Sequence, residues 1–220
     1  MVQKQFLIVG IGRFGSSLAR TLTKMGYEVL AMDRNIERVQ SFASEVTHVV
    51  EADATDPETL KALGVRNFDV GVVAIGDDVQ SSILVTVLLK DIGIRKVVAK
   101  AINDLHGKVL EKVGADKVVY PERDMGVRIA HQLISTSVLD QIELSSDSSI
   151  LEMLAPSQLI GKTLGKLDLR AKHGISLLAI KRGNNIVVSP GADDEIRARD
   201  TLVLLGMNSD LARFEDEETD

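Results

Sequence analysis

The sequence predicts an α/β protein, in which a Rossmann-like, doubly wound parallel sheet is followed by a small, β-rich α+β module. Through residues 1–137, short apolar runs alternate with helical segments, and six such strands are typical of a parallel sheet. The run over residues 68–75 is apolar throughout, as expected of a strand covered on both faces. Beyond residue 137 the alternation stops, which predicts a separate module.

The strongest motif lies at the start of the chain. A strand over residues 6–9 leads into a G-x-G-x-x-G turn formed by Gly10, Gly12 and Gly15. A helix over residues 16–25 follows, and then a second strand over residues 27–32 that ends at the acid Asp33. The first glycine allows a tight turn, the second lets backbone approach a phosphate, and the third lets helix and strand pack closely. The helix N-terminus attracts the anion. The motif therefore predicts a nucleotide site in which Asp33 accepts hydrogen bonds from the ribose hydroxyls.

The remaining elements of the sheet domain follow the same alternation. Further strands are expected over residues 46–51, 68–75, 95–101 and 117–120, and helices over residues 35–44, 58–63, 79–90, 103–113 and 121–137. Three of these helices end at a glycine, the residue favoured just after a helix C-terminus. Right-handed crossovers bring the carboxyl ends of all parallel strands to one edge, where ligands bind.

The strand ends thus nominate a binding pocket. Its expected residues are Gly10, Gly12, Arg13, Phe14, Gly15, Asp33, Arg34, Asp53, Ala54, Thr55, Ala74, Ile75, Gly76, Lys100 and Glu122. A carboxylate at position 33 disfavours NADP, because the 2′-phosphate would meet a like charge.

Five of these residues have two interpretations each. Arg13 either pairs with a terminal phosphate or is a solvated residue at the helix start. Asp53 and Thr55 either edge an adenine ring or cap a helix. Lys100 either neutralises phosphate or is an exposed residue at the end of a strand. Glu122 either compensates a helix dipole or meets a divalent cation on the last phosphate.

The chain beyond the sheet begins with the helix over residues 121–137, whose wide apolar face needs a partner, either its own sheet or a second subunit. We place a nucleotide-binding domain at residues 1–137, a C-terminal module at 138–214 and an acidic, disordered tail at 215–220. Within the module, strands are expected over residues 150–154, 175–181, 186–189 and 201–205, and helical turns over 164–167 and 210–214. Residues 141–144 alternate between polar and apolar as a strand would.

Composition excludes several classes of function. A net charge of −6 over 220 residues gives no electrostatic footprint for nucleic acid. The absence of cysteine rules out disulfides and thiolate metal sites. No signal peptide precedes the first strand, and no apolar run approaches the ~18 residues of a membrane span. We therefore expect a cytoplasmic protein.

The chemistry of an enzyme is missing from the pattern. Neither tyrosine begins a Tyr-x-x-x-Lys pair, and the four histidines are scattered, with His106 and His131 expected on helix surfaces. No zinc spacing or nucleophile elbow occurs. We interpret the chain as a binding protein rather than an enzyme. An NAD-dependent oxidoreductase or NADH sensor is the alternative, and a DNA-binding redox sensor lacks its basic helix-turn-helix.

Several segments together resemble a known family. They are GIGRFG, the AMD that ends at Asp33, residues 48–56, VAIGDD, VVAKAIND and GADKVVYPERDMG, followed by LRAKHGISLLAIKRG in the C-terminal module. These segments are similar to the RCK (regulator of K⁺ conductance) domain and its C-terminal companion. The resemblance covers residues 1 to 214 and points to the regulatory subunits of bacterial Ktr-type potassium-uptake systems.

The resemblance implies a mode of action. Members of this family form octameric rings of dimers beneath a membrane K⁺ translocator, so the chain would lie at the inner face of the membrane through its partner. ATP favours the active ring and ADP the inactive one, and NAD(H) can occupy the same cleft. By motif match, Arg13 would contact the terminal phosphate, Asp33 the ribose, and Glu122 a cation, Mg²⁺ or another, beside the γ-phosphate.

The resemblance also implies a second ligand site. The C-terminal module of such proteins can bind cyclic di-AMP across its dimer interface. The residues that match here are Leu164, Arg170, Ala171, Lys172, Gly174, Ile175 and Pro190. Plain dimer packing is the alternative interpretation of this stretch.

Overall fold

The computed structural model describes residues 4–134 and 137–219. The chain forms two compact units, Met1–Arg123 and Asp124–Asp220. Each has its own sheet and its own hydrophobic core.

The first unit is built around a parallel sheet of six strands in the order β3-β2-β1-β4-β5-β6. Its strands are β1 (Gln5–Val9), β2 (Glu28–Asp33), β3 (His48–Glu51), β4 (Val70–Val73), β5 (Lys96–Lys100) and β6 (Lys117–Val119). Its helices are α1 (Arg13–Lys24), α2 (Ile36–Phe42), α3 (Pro57–Ala62), α4 (Val79–Ile92) and α5 (Asp104–Lys112). Helix α6 (Pro121–Ile134) starts in this unit and continues past its end. This strand order confirms the predicted Rossmann-like fold.

Two apolar clusters cover the two faces of this sheet. On one side, Ala19 of α1 and Phe42 of α2 pack with Ile8 of β1. On the other, Leu89 of α4 and Leu110 of α5 pack with other strand residues. Burial on both faces explains the continuous apolar strands of the sequence.

Helix capping fixes where the loops turn. The Asn35 side chain accepts hydrogen bonds from the backbone N–H groups of Glu37 and Arg38 and so starts α2. Asp56 does the same for α3, with Pro57 in the first turn. These caps leave the carboxyl ends of β2 and β3 facing the crevice.

The second unit carries an antiparallel sheet of five strands in the order β10-β9-β11-β8-β7. Its strands are β7 (Val138–Glu143), β8 (Ser148–Leu154), β9 (Ser176–Arg182), β10 (Asn185–Val188) and β11 (Thr201–Met207). Its helices are α7 (Leu164–Leu167), α8 (Leu169–His173) and α9 (Asn208–Thr219). The separate sheet confirms the predicted β-rich α+β module.

Two sequence-based expectations are wrong, and one helix was not predicted. The acidic tail predicted to be disordered continues helix α9 as far as Thr219, because Leu211 and Phe214 anchor this helix in the core. Helix α8 was not predicted at all, since its five residues give too short a pattern. His106 is buried rather than on the helix surface, because Gly107 beside it lets α5 approach Tyr120 closely.

The end of the long helix lies partly outside the described residues. Helix α6 is observed to Ile134, and the predicted extension to residue 137 includes residues 135 and 136, which are not described. The predicted domain boundary at residue 137 stays a prediction. On α6, the side chains of Met125, Val127, Ile129 and Leu133 are between 44% and 81% exposed.

Candidate nucleotide-binding site

A crevice opens where the strand order reverses between β1 and β4. It encloses a cavity of about 840 Å³ at the carboxyl ends of the strands. The predicted pocket residues that line it are Gly10, Gly12, Arg13, Phe14, Asp33, Arg34, Asp53, Ala54, Thr55, Ala74, Ile75, Gly76, Lys100 and Glu122. Gly15 alone among the predicted set does not line it, although it supports the turn from behind.

The three glycines of the first turn have different surroundings. Gly10 has φ +99°, and a side chain there would also press on the Ala74 backbone at 3.1 Å. A Cβ atom on Gly15 would lie 1.9 Å from the Gly10 carbonyl oxygen, so this position holds α1 against the turn. A Cβ atom on Gly12 would meet nothing within 4 Å, because it would point into open space in the crevice. Only Gly12 therefore keeps room for a ligand.

Asp33 is tied into the backbone of the crevice. The residue is 7% exposed. Its carboxylate accepts hydrogen bonds from the Ile11 N–H at 2.7 Å and the Asn35 N–H at 2.9 Å. The Arg38 guanidinium lies 3.5 Å from Oδ2. Asp33 thus fixes the glycine turn to the end of β2, a structural role additional to the predicted ribose contact.

The side of the crevice beyond Asp33 is lined by the ends of β3 and the start of α4. Asp53 accepts from the Thr55 hydroxyl at 2.6 Å and from its N–H at 2.9 Å, and mainly the hydroxyl lowers the pKa of this carboxyl. Asp78 caps α4, and the Ser81 N–H is the first cause of its lowered pKa. Arg34 reaches Asp78 at 3.4 Å.

A further group of lining residues consists of two cations and one acid, namely Arg13, Lys100 and Glu122. The Lys100 ammonium lies 2.6 Å from Glu122 Oε1, and this hydrogen bond is the largest cause that lowers the pKa of Glu122, with a smaller effect of the Arg13 charge. Arg13 is exposed at the start of α1. Within residues 4–134 and 137–219, Arg13 forms no ion pair closer than 4.0 Å.

Several lining residues were missed by sequence reasoning. They are Val9, Ser16, Met32, Asn35, Arg38, Ala52, Asp77, Asp78, Ser81, Val85 and Ile102. Some had a signal, since Asp77 and Asp78 directly follow the predicted Gly76 at a strand end. Arg38 and Val85 had none, because only the packing of α2 and α4 beside the crevice brings helix side chains to it.

The candidate residues for the second ligand all lie in the second unit. Arg170, Ala171 and Lys172 are exposed on α8, and Gly174 ends this helix with φ +72°. Leu164 and Pro190 are half-buried, whereas the Ile175 side chain is fully buried in the core. Any ligand contact of Ile175 therefore involves its backbone.

The described part of the chain contains no cluster of three His, Cys, Asp or Glu side chains suited to hold a metal by itself. None of its helices is long and apolar enough to cross a bilayer. A cation at Glu122 would thus need further ligands besides the described side chains.

Comparison with known proteins decides the family. Residues 6–121 match the TrkA-N domain and residues 150–218 the TrkA-C domain. Ktr system potassium uptake protein C of Bacillus subtilis (strain 168) is 48% identical over 97% of this chain and 97% of its own length. The chain belongs to the Ktr family of potassium-uptake proteins. Ktr membership confirms the expected resemblance, and the prediction that the chain is not an enzyme agrees with a family of transport proteins.

Solved structures show the fold of this Ktr protein. The GsuK RCK domain has a TM-score of 0.71 and 20% identity, and covers 100% of this chain, which spans about half (48%) of that one. The GsuK channel bound to NAD has a TM-score of 0.69 and 21% identity, with 97% of this chain and 39% of the channel chain covered. At these identities the likeness is one of fold.

Proposed function

We propose that the chain is the cytosolic subunit of a gating ring, that it binds ATP or ADP in the crevice, and that it thereby regulates K⁺ flux through a membrane translocator. The observation that carries the proposal is the position of Arg13. It stands at the helix N-terminus beside the open space at Gly12 and has no acidic partner within ion-pair distance among the described residues. A guanidinium so placed is available to a terminal phosphate.

Discrimination between ATP and ADP must arise at the terminal phosphate. A ligand shifts a conformational equilibrium only by its differential affinity for the two states. Because ATP and ADP differ by one phosphate, contacts elsewhere in the crevice bind both alike. Arg13 supplies the contact that distinguishes them, and Glu122 meets Mg²⁺ or another cation beside the γ-phosphate.

NAD(H) is a second occupant of the same crevice. The fold is shared with the NAD-bound GsuK channel, and Asp33 suits an unphosphorylated ribose. The oxidoreductase alternative is not retained, because the chain belongs to a potassium-uptake family. NADH would act here as a regulatory ligand.

The chain acts as an oligomer, from a dimer to an octameric ring, at the inner face of the cell membrane. Four exposed apolar side chains on α6 support a homo-oligomeric contact, since such a face needs a partner. The membrane partner is the K⁺ translocator subunit of the Ktr system. Typical coupling between sites is on the order of 1–3 kcal/mol, and a symmetric ring sums several such terms.

Cyclic di-AMP is a further regulatory ligand in this proposal, at the C-terminal module. The exposed Arg170 and Lys172 give this surface a positive charge that suits phosphodiester oxygens. Binding of cyclic di-AMP to the chain in a titration supports this site. If cyclic di-AMP binds with unchanged affinity when both residues are replaced by alanine, these two side chains do not belong to the site.

The nucleotide proposal is tested by titrating ATP, ADP and NADH into the purified chain and into Arg13→Ala. The parent is expected to bind ATP and ADP with different affinities. The variant retains ADP binding and loses ATP affinity by about tenfold, because one charge-assisted contact is worth about 1.5–3 kcal/mol. The preference between the two nucleotides then disappears.

Lys24→Ala is the matched control. Lys24 lies on the same helix, in its last turn, and does not line the crevice, so its removal leaves both affinities unchanged. An unchanged ATP preference in Arg13→Ala contradicts the proposed role of Arg13. A parent that binds only NADH contradicts the ATP/ADP proposal as a whole.

A further inference from the structure

The ion pair between Lys100 and Glu122 is unequal in its exposure to water. The Lys100 side chain is 12% exposed at the end of β5, whereas that of Glu122 is 68% exposed in the first turn of α6. Their separation of 2.6 Å is a full hydrogen bond. Both residues line the crevice.

This difference sets which partner depends on the other. An ammonium that is largely removed from water needs an anion beside it. A carboxylate that is two-thirds exposed is solvated without its cation, and an ion pair with so exposed a partner adds little to stability. Lys100 therefore exchanges one anion for another at little expense, but does not remain without one.

The other two paired cations of the crevice are held differently. Arg38 faces Asp33, whose side chain is 5% exposed and already accepts from two backbone N–H groups. Arg34 faces Asp78, which is engaged in capping α4. Lys100 differs from these two cations because its partner Glu122 is largely exposed and, among the described residues, forms an ion pair with no other side chain.

Gly76 leaves the space in which the Lys100 ammonium lies. A Cβ atom at Gly76 would be 3.1 Å from Lys100 Nζ, closer than ordinary contact. Gly76 follows β4 and belongs to the rim of the crevice near the reversal of strand order. The ammonium therefore lies against the backbone of the crevice at Gly76, beside Glu122.

We propose that Lys100 is an anion-exchange residue of this site: it pairs with Glu122 when the crevice is empty and transfers to the terminal phosphate when a nucleoside triphosphate binds. The proposal rests on the nucleotide function proposed above and adds the regulation of that site. Each exchange frees the Glu122 carboxylate in the first turn of α6. A cation then gains access to Glu122 only after the phosphate has taken Lys100, so nucleotide and cation bind in a coupled manner.

The test is a double-mutant cycle on ATP affinity, measured by calorimetry in buffer with EDTA so that no divalent cation contributes. Lys100→Met keeps the length of the side chain and removes its charge, and is expected to weaken ATP binding about tenfold. Glu122→Gln releases Lys100 for the phosphate and strengthens ATP binding about threefold. In the Lys100→Met background the same Glu122→Gln change gives no gain.

Three controls accompany the cycle. Lys100→Arg keeps the charge and restores ATP binding to within about threefold of the parent. Lys90→Met removes another paired lysine, whose partner Asp116 lies away from the crevice, and leaves the affinity unchanged. Thermal unfolding without nucleotide verifies that each variant is folded, and Lys100→Gln replaces Lys100→Met if the latter is not.

The outcomes separate this inference from the function on which it rests. A gain from Glu122→Gln that is equal in both backgrounds shows simple relief of repulsion and overturns the exchange. So does the absence of any gain in the parent background. If the parent binds ATP and ADP but the cycle shows no coupling, only the exchange is wrong; if it binds neither, both proposals are wrong.

Discussion

Asp33 combines two tasks in one carboxylate. It is buried, and it accepts from the N–H groups of Ile11 and Asn35, which belong to the glycine turn and to the cap of α2. Its removal leaves two N–H groups without their acceptor, of which that of Ile11 is buried. An unsatisfied buried donor costs about 1–3 kcal/mol.

The variant Asp33→Ala is therefore expected to lower the free energy of unfolding of the empty protein by about 2 kcal/mol or more. It also weakens ATP and ADP by the same factor, since the ribose is common to both. Chemical denaturation and nucleotide titration measure the two effects. Glu37→Ala, an exposed change in the first turn of α2, is the control. Parent-like stability, or loss of only one nucleotide, would contradict the dual role.

Sequence reasoning reached residues at strand ends better than residues on helices. Asp33, Lys100 and Glu122 were predicted because each ends a strand or follows one, and the topology brings those positions together. The partner of each was not predictable. The Lys100 side chain is mostly buried, whereas that of Glu122 is exposed. This difference depends on the packing around the ends of the strands, and no spacing in the sequence predicts it.

At the scale of elements, the turn between β1 and α1 contains one glycine that is needed for packing and another that leaves room for a ligand. Gly15 is needed where α1 packs on the turn, since a Cβ there would meet the Gly10 carbonyl oxygen at 1.9 Å. A Cβ at Gly12 would have no such contact within 4 Å. Substitution of these two glycines of one motif is therefore expected to have opposite effects, on nucleotide affinity at Gly12 and on stability at Gly15.

Gly12→Ala is expected to leave thermal stability within about 1 kcal/mol of the parent, because a helix start tolerates alanine with a loss of this order. It weakens ATP and ADP strongly, because the methyl group occupies the approach of the phosphates. Gly15→Ala instead lowers stability by about 1–3 kcal/mol through overpacking. Thermal unfolding and titration of both variants decide the matter, and equal destabilisation by the two would be inconsistent with the geometry.

Helix α9 shows where a compositional argument misled. Its acidic end predicted disorder, yet Phe214 is fully buried beside His173, with ring centroids 5.1 Å apart. Two apolar anchors were enough to hold a helix whose exposed face is strongly charged. The acidic residues at the end of the sequence therefore reported only the solvent-exposed face of α9, and not its buried side.

Phe214→Ala should accordingly destabilise the second unit by about 3–5 kcal/mol, the usual range for loss of a buried phenylalanine. Arg213→Ala, at the neighbouring exposed position, changes stability by less than about 0.5 kcal/mol. Denaturant unfolding of the full chain measures both. A neutral effect of Phe214→Ala would show that α9 does not contribute to the core.

At the scale of the molecule, sequence patterns predicted both sheets, because alternating and continuous apolar runs report burial directly. They did not predict the antiparallel strand β7 from its start at Val138, where the register shifts against β8. Family membership then supplied potassium uptake, which no residue of the crevice reveals by itself. The residues of the crevice indicate a nucleotide ligand, whereas the connection of this ligand to ion flux is inferred from the relatives.

The central claim is that nucleotide in the crevice controls K⁺ flux. The most direct measurement is K⁺ uptake into proteoliposomes that contain a Ktr translocator and the full chain, with ATP or ADP present at equal concentration. The account predicts faster uptake with ATP than with ADP, and equal rates for both nucleotides with Arg13→Ala. Equal rates for the parent chain, or uptake unaffected by adding the chain, would contradict it.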